Sequence, residues 1–425
     1  MMFVYVISKD GQPLMPTSRF GKVRRLLNEN KAKVLSRCPF TIKLLYEPKS
    51  LVVQEVVLGQ DTGSKHIGTS CVGNDRVLYQ SQVELRDDIK SKMDGRRQAR
   101  RFRRYRKTRY RKPRFLNRKN STKLDRLPPS VRHKVQAHID EIEFCKKILP
   151  VSKIVLEVSQ FDTHLMKDPR LIFENFKHWG YQKGFNYGWA SKREAILNRD
   201  RYSCQICGKK HTRLEVHHII YRSNGGTDDE NNLITLCEDC HSGIHNGKVV
   251  LVKKIKKLNL KPATHMSIIR SQLLNVYTDA IETLGFVTKT NLENLCLPKS
   301  HYIDACVIAS GGKIFDFNDT IYQKRRVPKG DYQLTKGVRG EQKIPIGKIQ
   351  DFRKFDKVKY FGKEYFIKGR MSSGFAILMD IFNNKIDFSY MPKKGYKTPK
   401  LSNLERISAR RSCLCISQRI IPSIA

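Results

Sequence analysis

Short runs of apolar and β-branched residues alternate with helical patterns along the first half of the chain. VYVI near the start predicts a strand, and the stretch after the prolines at positions 13 and 16 predicts a basic helix. VVQEVVLGQDTGSKHIGTSCV holds two apolar runs around a glycine-containing turn, which is typical of neighbouring strands in a buried sheet. HKVQAHIDEIEFCKKIL predicts a helix and KIVLEV a further buried strand. This alternation predicts an α/β architecture.

The second half begins with a compact segment rich in cysteine and histidine, from about residue 181 to 260. After it, THMSIIRSQLLNVYTDAIETLGF predicts an amphipathic helix and FVTKT a short strand, while SHYIDACVIA fits either a helix start or a strand. From about residue 317, polar and apolar residues alternate around glycines, as in KVKYFGKEYFIKGR, which predicts a small β-barrel. The whole chain of 425 residues therefore reads as a multidomain α/β protein.

An arginine-rich run, RRQARRFRRYRKTRYRKPRF, occupies residues 96–115. Ala99, Phe102 and Tyr105 recur at a spacing of three, so the run predicts a helix with one partly apolar stripe. A solvated charge run or a disordered tail would not need such a stripe. Lys and Arg outnumber Asp and Glu by 82 to 40, which gives a formal net charge of +42. An imbalance of this size calls for a polyanionic partner, most simply nucleic acid.

A polybasic membrane-surface protein is the competing interpretation of this charge. The sequence offers neither an amphipathic anchor nor a lipidation signal, and no stretch approaches the ~20 apolar residues of a spanning helix. The opening MMFVYVISKD lacks the features of a signal peptide. We therefore expect no membrane partner and a cytoplasmic location, in which DNA binding would associate the protein with the nucleoid.

Four of the eleven cysteines form two C-x-x-C pairs, Cys204 with Cys207 and Cys237 with Cys240. An odd cysteine count in a large chain, together with this spacing, indicates metal in a reducing compartment. The four thiolates predict a structural Zn²⁺ site, and taken alone they would fit a plain zinc ribbon. The C-x-C at positions 413 and 415 is weak evidence for metal, and we interpret it as incidental.

The residues between the two cysteine pairs indicate more than a plain zinc ribbon. The strand LEVHHII, a Gly-Gly turn, Asn232 and a helix start carrying His241 and His245 resemble the HNH nuclease motif, a ββα hairpin around one catalytic metal. The resemblance implies that His218 is the general base, that His217 and His241 bind Mg²⁺, and that Asn232 is an orienting residue. His245 is a further candidate ligand. A histidine beside metal ligands is what phosphodiester hydrolysis requires.

Three acidic residues lie far apart in the sequence, outside the segment rich in cysteine and histidine. Asp61 ends a strand, Glu157 lies in an apolar strand, and His301 with Asp304 forms an H-x-x-D pair. One such carboxylate is usually a satisfied polar residue, but several gathered from separate segments fit a two-metal site. The pieces GQDTGS, VLEVS and SHYIDA resemble the RuvC nuclease, an RNase H-like fold. That resemblance implies that Asp61, Glu157 and Asp304 are Mg²⁺ ligands and that His301 is a ligand or a proton acceptor.

The order of these motifs resembles CRISPR-type RNA-guided nucleases. With PLMP at residues 13–16 and no large helical recognition lobe, the sequence resembles the transposon-encoded IscB family over residues 1–316. The resemblance implies an N-terminal PLMP module at 1–52, RuvC pieces at 53–90, 126–180 and 261–316, a bridge helix at 91–125, an HNH domain with linkers at 181–260, and a β-rich C-terminal module at 317–425.

The family resemblance also implies partners and roles. A large structured guide RNA (omega RNA) and a double-stranded DNA target with a short flanking motif would bind a monomeric protein. HNH would cut the guide-paired strand and RuvC the displaced strand. The guide RNA would be gripped by the arginines of the bridge helix: Arg96, Arg97, Arg100, Arg101, Arg103, Arg104, Arg106, Arg109, Arg111 and Arg114.

Two other classes of function stay open. An RNA-independent HNH endonuclease of a mobile element would need neither the carboxylates nor the arginine helix. A catalytically silent RNA- or DNA-binding protein would share only the basic surface.

Overall fold

The computed structural model describes residues 2–48, 52–106, 127–159, 161, 165–166, 188–210, 212–224, 226, 228–250, 260–330, 349–390 and 397–419. Its contacts divide the chain into two compact units. Unit 1 combines residues 1–160 with 265–425, and unit 2 holds residues 161–264. The second half of the arginine run, with Arg109, Arg111 and Arg114, lies outside the described residues.

The helices and strands alternate along much of the chain, as the sequence patterns predict. The helices are α1 (Phe20–Asn28), α2 (Ile89–Tyr105), α3 (Pro129–Ile148), α4 (Lys192–Arg199), α5 (Glu238–His245), α6 (Lys261–Val276), α7 (Gly285–Asn294) and α8 (His301–Ser310). The strands are β1 (Tyr5–Ile7), β2 (Ala32–Arg37), β3 (Phe40–Leu44), β4 (Val57–Asp61), β5 (His66–Gly73), β6 (Arg76–Glu84), β7 (Lys153–Glu157), β8 (Leu214–His218), β9 (Leu233–Cys237), β10 (Ile281–Thr283), β11 (Thr320–Arg326), β12 (Lys357–Tyr360), β13 (Lys363–Arg370), β14 (Ala376–Met379), β15 (Glu405–Ser408) and β16 (Cys413–Arg419). In the described part of the chain, no helix is both long enough and apolar enough to cross a bilayer.

Unit 1 opens with a small module in which α1 packs on a three-stranded sheet of order β1-β3-β2. Its main feature is a seven-stranded sheet of order β10-β7-β4-β5-β6-β11-β16. Strand β5 runs antiparallel to both of its neighbours, β4 and β6, whereas β7 is parallel to β4 and β10 is parallel to β7. Strands on both sides of the inserted unit 2 therefore meet in one sheet.

The two faces of this sheet have different partners, because successive side chains of a strand point to opposite sides. On one face, Leu58 packs in a single core with Ile142 of α3 and Ile269 of α6. The other face receives α8 at close range. A Cβ on Gly59 would lie 2.5 Å from the carbonyl oxygen of Ala305, and one on Gly68 would lie 1.7 Å from that of His301. Glycine at these two positions is what allows the backbone of α8 to approach the sheet.

The C-terminal region differs from the expected β-barrel. Its described residues form an open antiparallel sheet of order β14-β13-β12-β15, with a core that includes Val358, Ile367 and Leu378. Strands β11 and β16, which the sequence pattern assigned to the same module, pair with each other and join the seven-stranded sheet through β6. Alternation of polar and apolar residues predicts strands but does not say which sheet they enter.

The FVTKT segment was predicted as a strand, and this prediction is wrong. Its residues lie in α7, and the neighbouring strand is β10, which pairs with β7 at the sheet edge. The β-branched residues favour a strand by local propensity, but Thr288 and Leu292 are buried, and Leu292 packs in one core with residues of α8. Tertiary packing here overrides propensity. The SHYIDACVIA segment, left open between helix and strand, is helix α8 with Ser300 as its N-cap.

Unit 2 builds a ββα hairpin from β8, β9 and α5, and α4 packs beside it. Ser191 caps α4 by accepting a hydrogen bond from the backbone N–H of Glu194 at 3.2 Å. The buried Asp200 carboxylate, paired with Arg199, accepts the N–H of Thr235 in β9 at 2.9 Å. These contacts fix the end of α4 to the hairpin.

Candidate functional site

Three histidines converge in unit 2. His217 on β8 faces His241 and His245, which lie one turn apart on α5, and one nitrogen of each ring lies within 4.8 Å of the others. His217 is 4% exposed, and its Nε2 has no hydrogen-bond partner among the described residues. Burial and the neighbouring His241 and His245 lower the pKa of His217 to about 4, so its ring is neutral at pH 7. Three converging imidazoles fit a divalent cation.

Two neighbours orient this cluster. The carboxylate of Glu215, also on β8, lies 3.2 Å from Nδ1 of His241, which leaves Nε2 of His241 as the ligand atom. The ring of Tyr221 stacks on His245 with centroids 5.7 Å apart and meets His217 edge-on at 5.4 Å. The sequence singled out neither Glu215 nor Tyr221, and it treated His245 as the less certain ligand. The structure groups His245 with the other two.

His218 follows His217 directly, yet it serves a different environment because adjacent strand residues point to opposite sides. Its Nε2 lies 2.7 Å from the Oδ1 of Asp228. The same oxygen accepts hydrogen bonds from Nε and an Nη of Arg222 at 3.0 and 2.8 Å. Asp228 thus holds the proton of His218 on Nε2 and leaves Nδ1 as a proton acceptor. Sequence reasoning missed Asp228, which stands in an acidic turn with no distinguishing spacing.

Asn232 and the four cysteines stabilise the hairpin around these histidines. The Asn232 side chain accepts the N–H of Ile220 at 2.9 Å and donates to the carbonyl oxygen of Ile220 at 3.0 Å. It therefore fixes the backbone immediately after His218. The sulfurs of the cysteine group converge within 4.8 Å, as a tetrahedral metal site requires, and none is in a disulfide: Cys204, Cys207, Cys237 and Cys240.

A second cluster lies in unit 1, where β4 meets α8. The Oδ2 of Asp61 is 2.6 Å from Nδ1 of His301, and ligand atoms of Asp61, His301 and Asp304 lie within 4.8 Å of one another. The N-cap at Ser300 starts α8 so that His301 and Asp304 share one face, one turn apart. Glu157 stands beside Asp61 in the register of β7 and β4, but it is not a member of that close group.

In this second cluster, burial and the close approach of the carboxylates raise pKa values. Burial, then the charge of Asp61, raises the pKa of Asp304 to about 6. Burial also raises the pKa of Glu157, as do the charges of Asp61 and Asp304. The hydrogen bond to Asp61 raises the pKa of His301. The Oδ1 of Asp304 is buried without a hydrogen-bond partner in the described part of the chain. A site with these properties fits a divalent cation.

The ring of His66 stacks on His301, with centroids 5.2 Å apart and planes 22° apart. His66 begins β5 within the TGSKHIG stretch, and its Nδ1 is buried without a partner in the described residues. Sequence reasoning did not assign it a role. Its position extends the carboxylate cluster along the sheet.

The arginine run forms α2 from its start at Ile89 to Tyr105. Phe102 is 69% exposed, so the predicted apolar stripe does not pack into the protein core at that residue. Arg96 is half-buried, and the following arginines of the described part are exposed: Arg97, Arg100, Arg101, Arg103, Arg104 and Arg106. This helix therefore offers guanidinium groups and an aromatic ring to a partner, a combination typical of nucleic-acid contacts.

Two family models match this chain, one over the region that contains α2 and one over the ββα hairpin. Residues 4–184 match the family described as RRXRR protein, and residues 204–247 match the family described as HNH endonuclease. The chain is 32% identical over 63 residues to anaredoxin of Nostoc sp. strain PCC 7120, covering 15% of this chain and 83% of that protein. It is 38% identical over 61 residues to the type IV methyl-directed restriction enzyme EcoKMcrA of Escherichia coli K12, covering 12% and 22%.

Among solved structures, the chain is similar to Cas9 of Streptococcus thermophilus in complex with the AGAA PAM. The identity is 13% and the TM-score 0.32, with 57% of this chain and 32% of that chain covered. The chain thus spans about a fifth of the restriction enzyme and about a third of the Cas9 chain.

The ββα hairpin, its histidine cluster and the matched segment define the class of protein. The chain carries an HNH endonuclease domain. This domain and the similarity to a restriction enzyme support a metal-dependent DNA endonuclease.

Proposed function

We propose that this protein is an RNA-guided double-stranded DNA endonuclease with two cutting centres, as expected from its resemblance to the IscB family. The observation that carries the proposal is that, apart from the four cysteines, the described residues hold two separate groups of potential metal ligands, one in each unit of the chain. One centre suffices to nick a strand. Two chemically different centres in one polypeptide fit an enzyme that cuts both strands of a duplex.

The HNH centre would act on the guide-paired strand. His218 accepts a proton from the attacking water at Nδ1, because Asp228 holds the other nitrogen in its protonated form. Asn232 keeps the His218 backbone in position. His217, His241 and His245 would hold a divalent cation, and that cation would stabilise the charge that develops on the leaving oxygen. The four cysteines would hold a structural Zn²⁺ that closes the hairpin.

The centre in unit 1 would act on the displaced strand. Strand order β10-β7-β4-β5-β6, with three antiparallel strands followed by two parallel ones, supports an RNase H-like core of the RuvC type. Asp61, Glu157 and Asp304 would hold Mg²⁺. His301, hydrogen-bonded to Asp61 through Nδ1, is placed to receive the proton of the attacking water.

Guidance by RNA is supported by the charge distribution. The exposed arginines of α2 have few acidic neighbours on their own helix, and each can make paired contacts to phosphate. The net charge of +42 calls for an extended polyanion, and a large structured RNA would supply one. A short flanking motif on the target would then be read by the β-rich C-terminal region.

The test is strand-specific cleavage of a labelled duplex by the protein purified with its co-expressed flanking DNA and RNA. His218→Ala should leave only the guide-paired strand intact, and Asp61→Ala only the displaced strand. The matched controls are His133→Ala, a histidine outside both clusters, and Asp279→Ala, an exposed carboxylate outside them. Two intact strands from either site variant, or an unchanged double-strand break, would contradict the two-centre assignment.

RNA dependence is decided in the same preparation. Sequencing the nucleic acid that copurifies should return one discrete RNA with a constant body and a variable end, and RNase should abolish cleavage. Cleavage that survives RNase, lost in His218→Ala but not in Asp61→Ala, would identify an RNA-independent HNH endonuclease instead. Binding without cleavage would identify a catalytically silent protein.

A further inference from the structure

A cavity of about 250 Å³ lies in unit 1 beside the Asp61 cluster. Its wall includes His66, whose ring stacks on His301, which in turn hydrogen-bonds Asp61. Two direct side-chain contacts thus link the wall of the cavity to the carboxylate centre. Its volume is about eight times the ~30 Å³ that a water molecule takes up in the liquid, so it has room for one planar ring system.

The floor of the cavity is polar and belongs to the sheet. Gln82 on β6 and Gln323 on β11 pair directly in register, so their side chains leave the sheet on the same side. Glu84 stands two residues further along β6 and pairs in register with His66. By the same alternation, this is the face on which Asp61 and α8 lie. Each glutamine amide offers one donor group and one acceptor to whatever occupies the cavity.

The opposite wall is aromatic. Phe382, in the turn after β14, lines the cavity and is 57% exposed. Exposed aromatic rings next to polar groups are the arrangement on which unpaired bases stack. Two charged residues also line the cavity, and each is paired: Glu84 lies 3.5 Å from an Nη of Arg325, and the Nζ of Lys324 lies 2.6 Å from the carboxylate of Glu141. The floor therefore has no surplus of positive charge. The chemistry therefore suits an uncharged base better than a phosphate group.

We propose that this cavity, between Phe382 and the paired Gln82 and Gln323, holds one unstacked nucleobase of the DNA strand cut at the Asp61 centre. The inference rests on the proposed nuclease role of that centre. Phe382 stacks on the base whatever its identity, whereas the two amides contact its hydrogen-bonding edge and favour some bases over others. The cavity thereby fixes the strand beside the scissile phosphate and creates a nucleotide preference next to the cut.

The kinetic test uses a set of target duplexes with each base varied in turn at positions near the displaced-strand cut. Phe382→Ala should slow that cut by about 5- to 10-fold for all four bases, as expected for a lost base-stacking contact. Gln82→Met and Gln323→Met should instead flatten the base preference at one position. Phe361→Ala, which removes another exposed aromatic residue of the same region that does not line the cavity, is the matched control. The cut by the HNH centre is the internal control for folding.

A crosslinking test does not depend on cleavage. In the Asp61→Ala complex, 5-iododeoxyuridine placed at successive positions of the displaced strand should form an adduct with Phe382 at one position. Absence of such an adduct, or an adduct only from 5-iodouridine placed in the RNA, would overturn the inference. So would equal effects of Phe382→Ala and Phe361→Ala. Failure of the unmodified protein to cut the displaced strand would instead count against the proposed nuclease role. The crosslink would still show whether a base occupies the cavity.

Discussion

Replacing Asp304 by asparagine is expected to stabilise the metal-free protein while removing one of its cutting activities. The Asp304 carboxyl is 7% exposed, its Oδ1 has no partner within the described residues, and Asp61 lies in the same cluster. At pH 7 a negative charge is therefore held where burial and a neighbouring charge oppose it. Asparagine keeps the shape of the side chain and removes the charge.

The magnitude follows from the pKa. Its rise from 3.8 to about 6 corresponds to roughly 3 kcal/mol of destabilisation at pH 7, at ~1.4 kcal/mol per unit. Asparagine also gives up a favourable charge in the first turn of α8, which is worth ~0.3–1 kcal/mol. The expected net gain is about 2 kcal/mol, or a rise of ~3 °C in Tm for a unit of this size.

The raised pKa of Asp304 determines how the stability of the folded protein changes with pH. A carboxyl with a raised pKa in the folded state binds its proton more tightly there, so its contribution to stability is full below pH 3.8 and is lost as the pH rises through about 6. The Tm advantage of the Asp304→Asn variant should therefore be largest above pH 7 and shrink below pH 5. Melting curves in EDTA measure it, with Glu293→Gln in an exposed ion pair as the control. A Tm difference that is absent, or the same at pH 5 and pH 8, would refute the reasoning.

Three further predictions concern other residues. Asp228→Asn should slow the cut made by the HNH centre by about 10- to 100-fold and leave the cut of the other strand unaffected, because Asp228 no longer fixes the tautomer of His218, the proposed general base. Strand-specific labels measure both rates. Gly68→Ala places a Cβ 1.7 Å from the carbonyl oxygen of His301 and should cost about 1–3 kcal/mol in a urea titration, whereas Gly21→Ala, in open space on α1, should cost nothing. Cys240→Ser should reduce the zinc content from one ion per chain to none and abolish the HNH cut; a full zinc content would contradict the four-cysteine site.

The local parts of the site were the easiest to predict from the sequence. The HNH hairpin is one continuous segment, so the spacing of Cys204, His217, His241 and their neighbours already carries its geometry. His245 was undervalued, because its contacts with His217 and Tyr221 appear only once the hairpin has folded. Asp228 could not be predicted as a partner of His218, because the sequence does not distinguish it from the other acidic residues of the run TDDEN.

The non-local parts were predictable only in outline. Resemblance to a known family singled out Asp61, Glu157 and Asp304, but nothing in the sequence placed Phe382 beside the sheet. The entry of β11 and β16 into the main sheet and the helical state of FVTKT depend on partners far away in the chain. Such pairings are set by tertiary packing, which alternation and propensity do not encode.

The contact between Asp61 and His301 joins residues 240 positions apart in the chain. At ~5–20 residues per second of synthesis, about 12 to 48 seconds pass between the appearance of the two partners at the ribosome. The HNH hairpin, in contrast, has all its ligands within residues 204–245 and can fold as soon as that stretch emerges. A nascent chain therefore acquires its centres one after the other. If the two centres cut as proposed, a chain in which α8 has not yet docked on its two glycines would be limited to nicking DNA, and a product truncated before α8 would stay in that state.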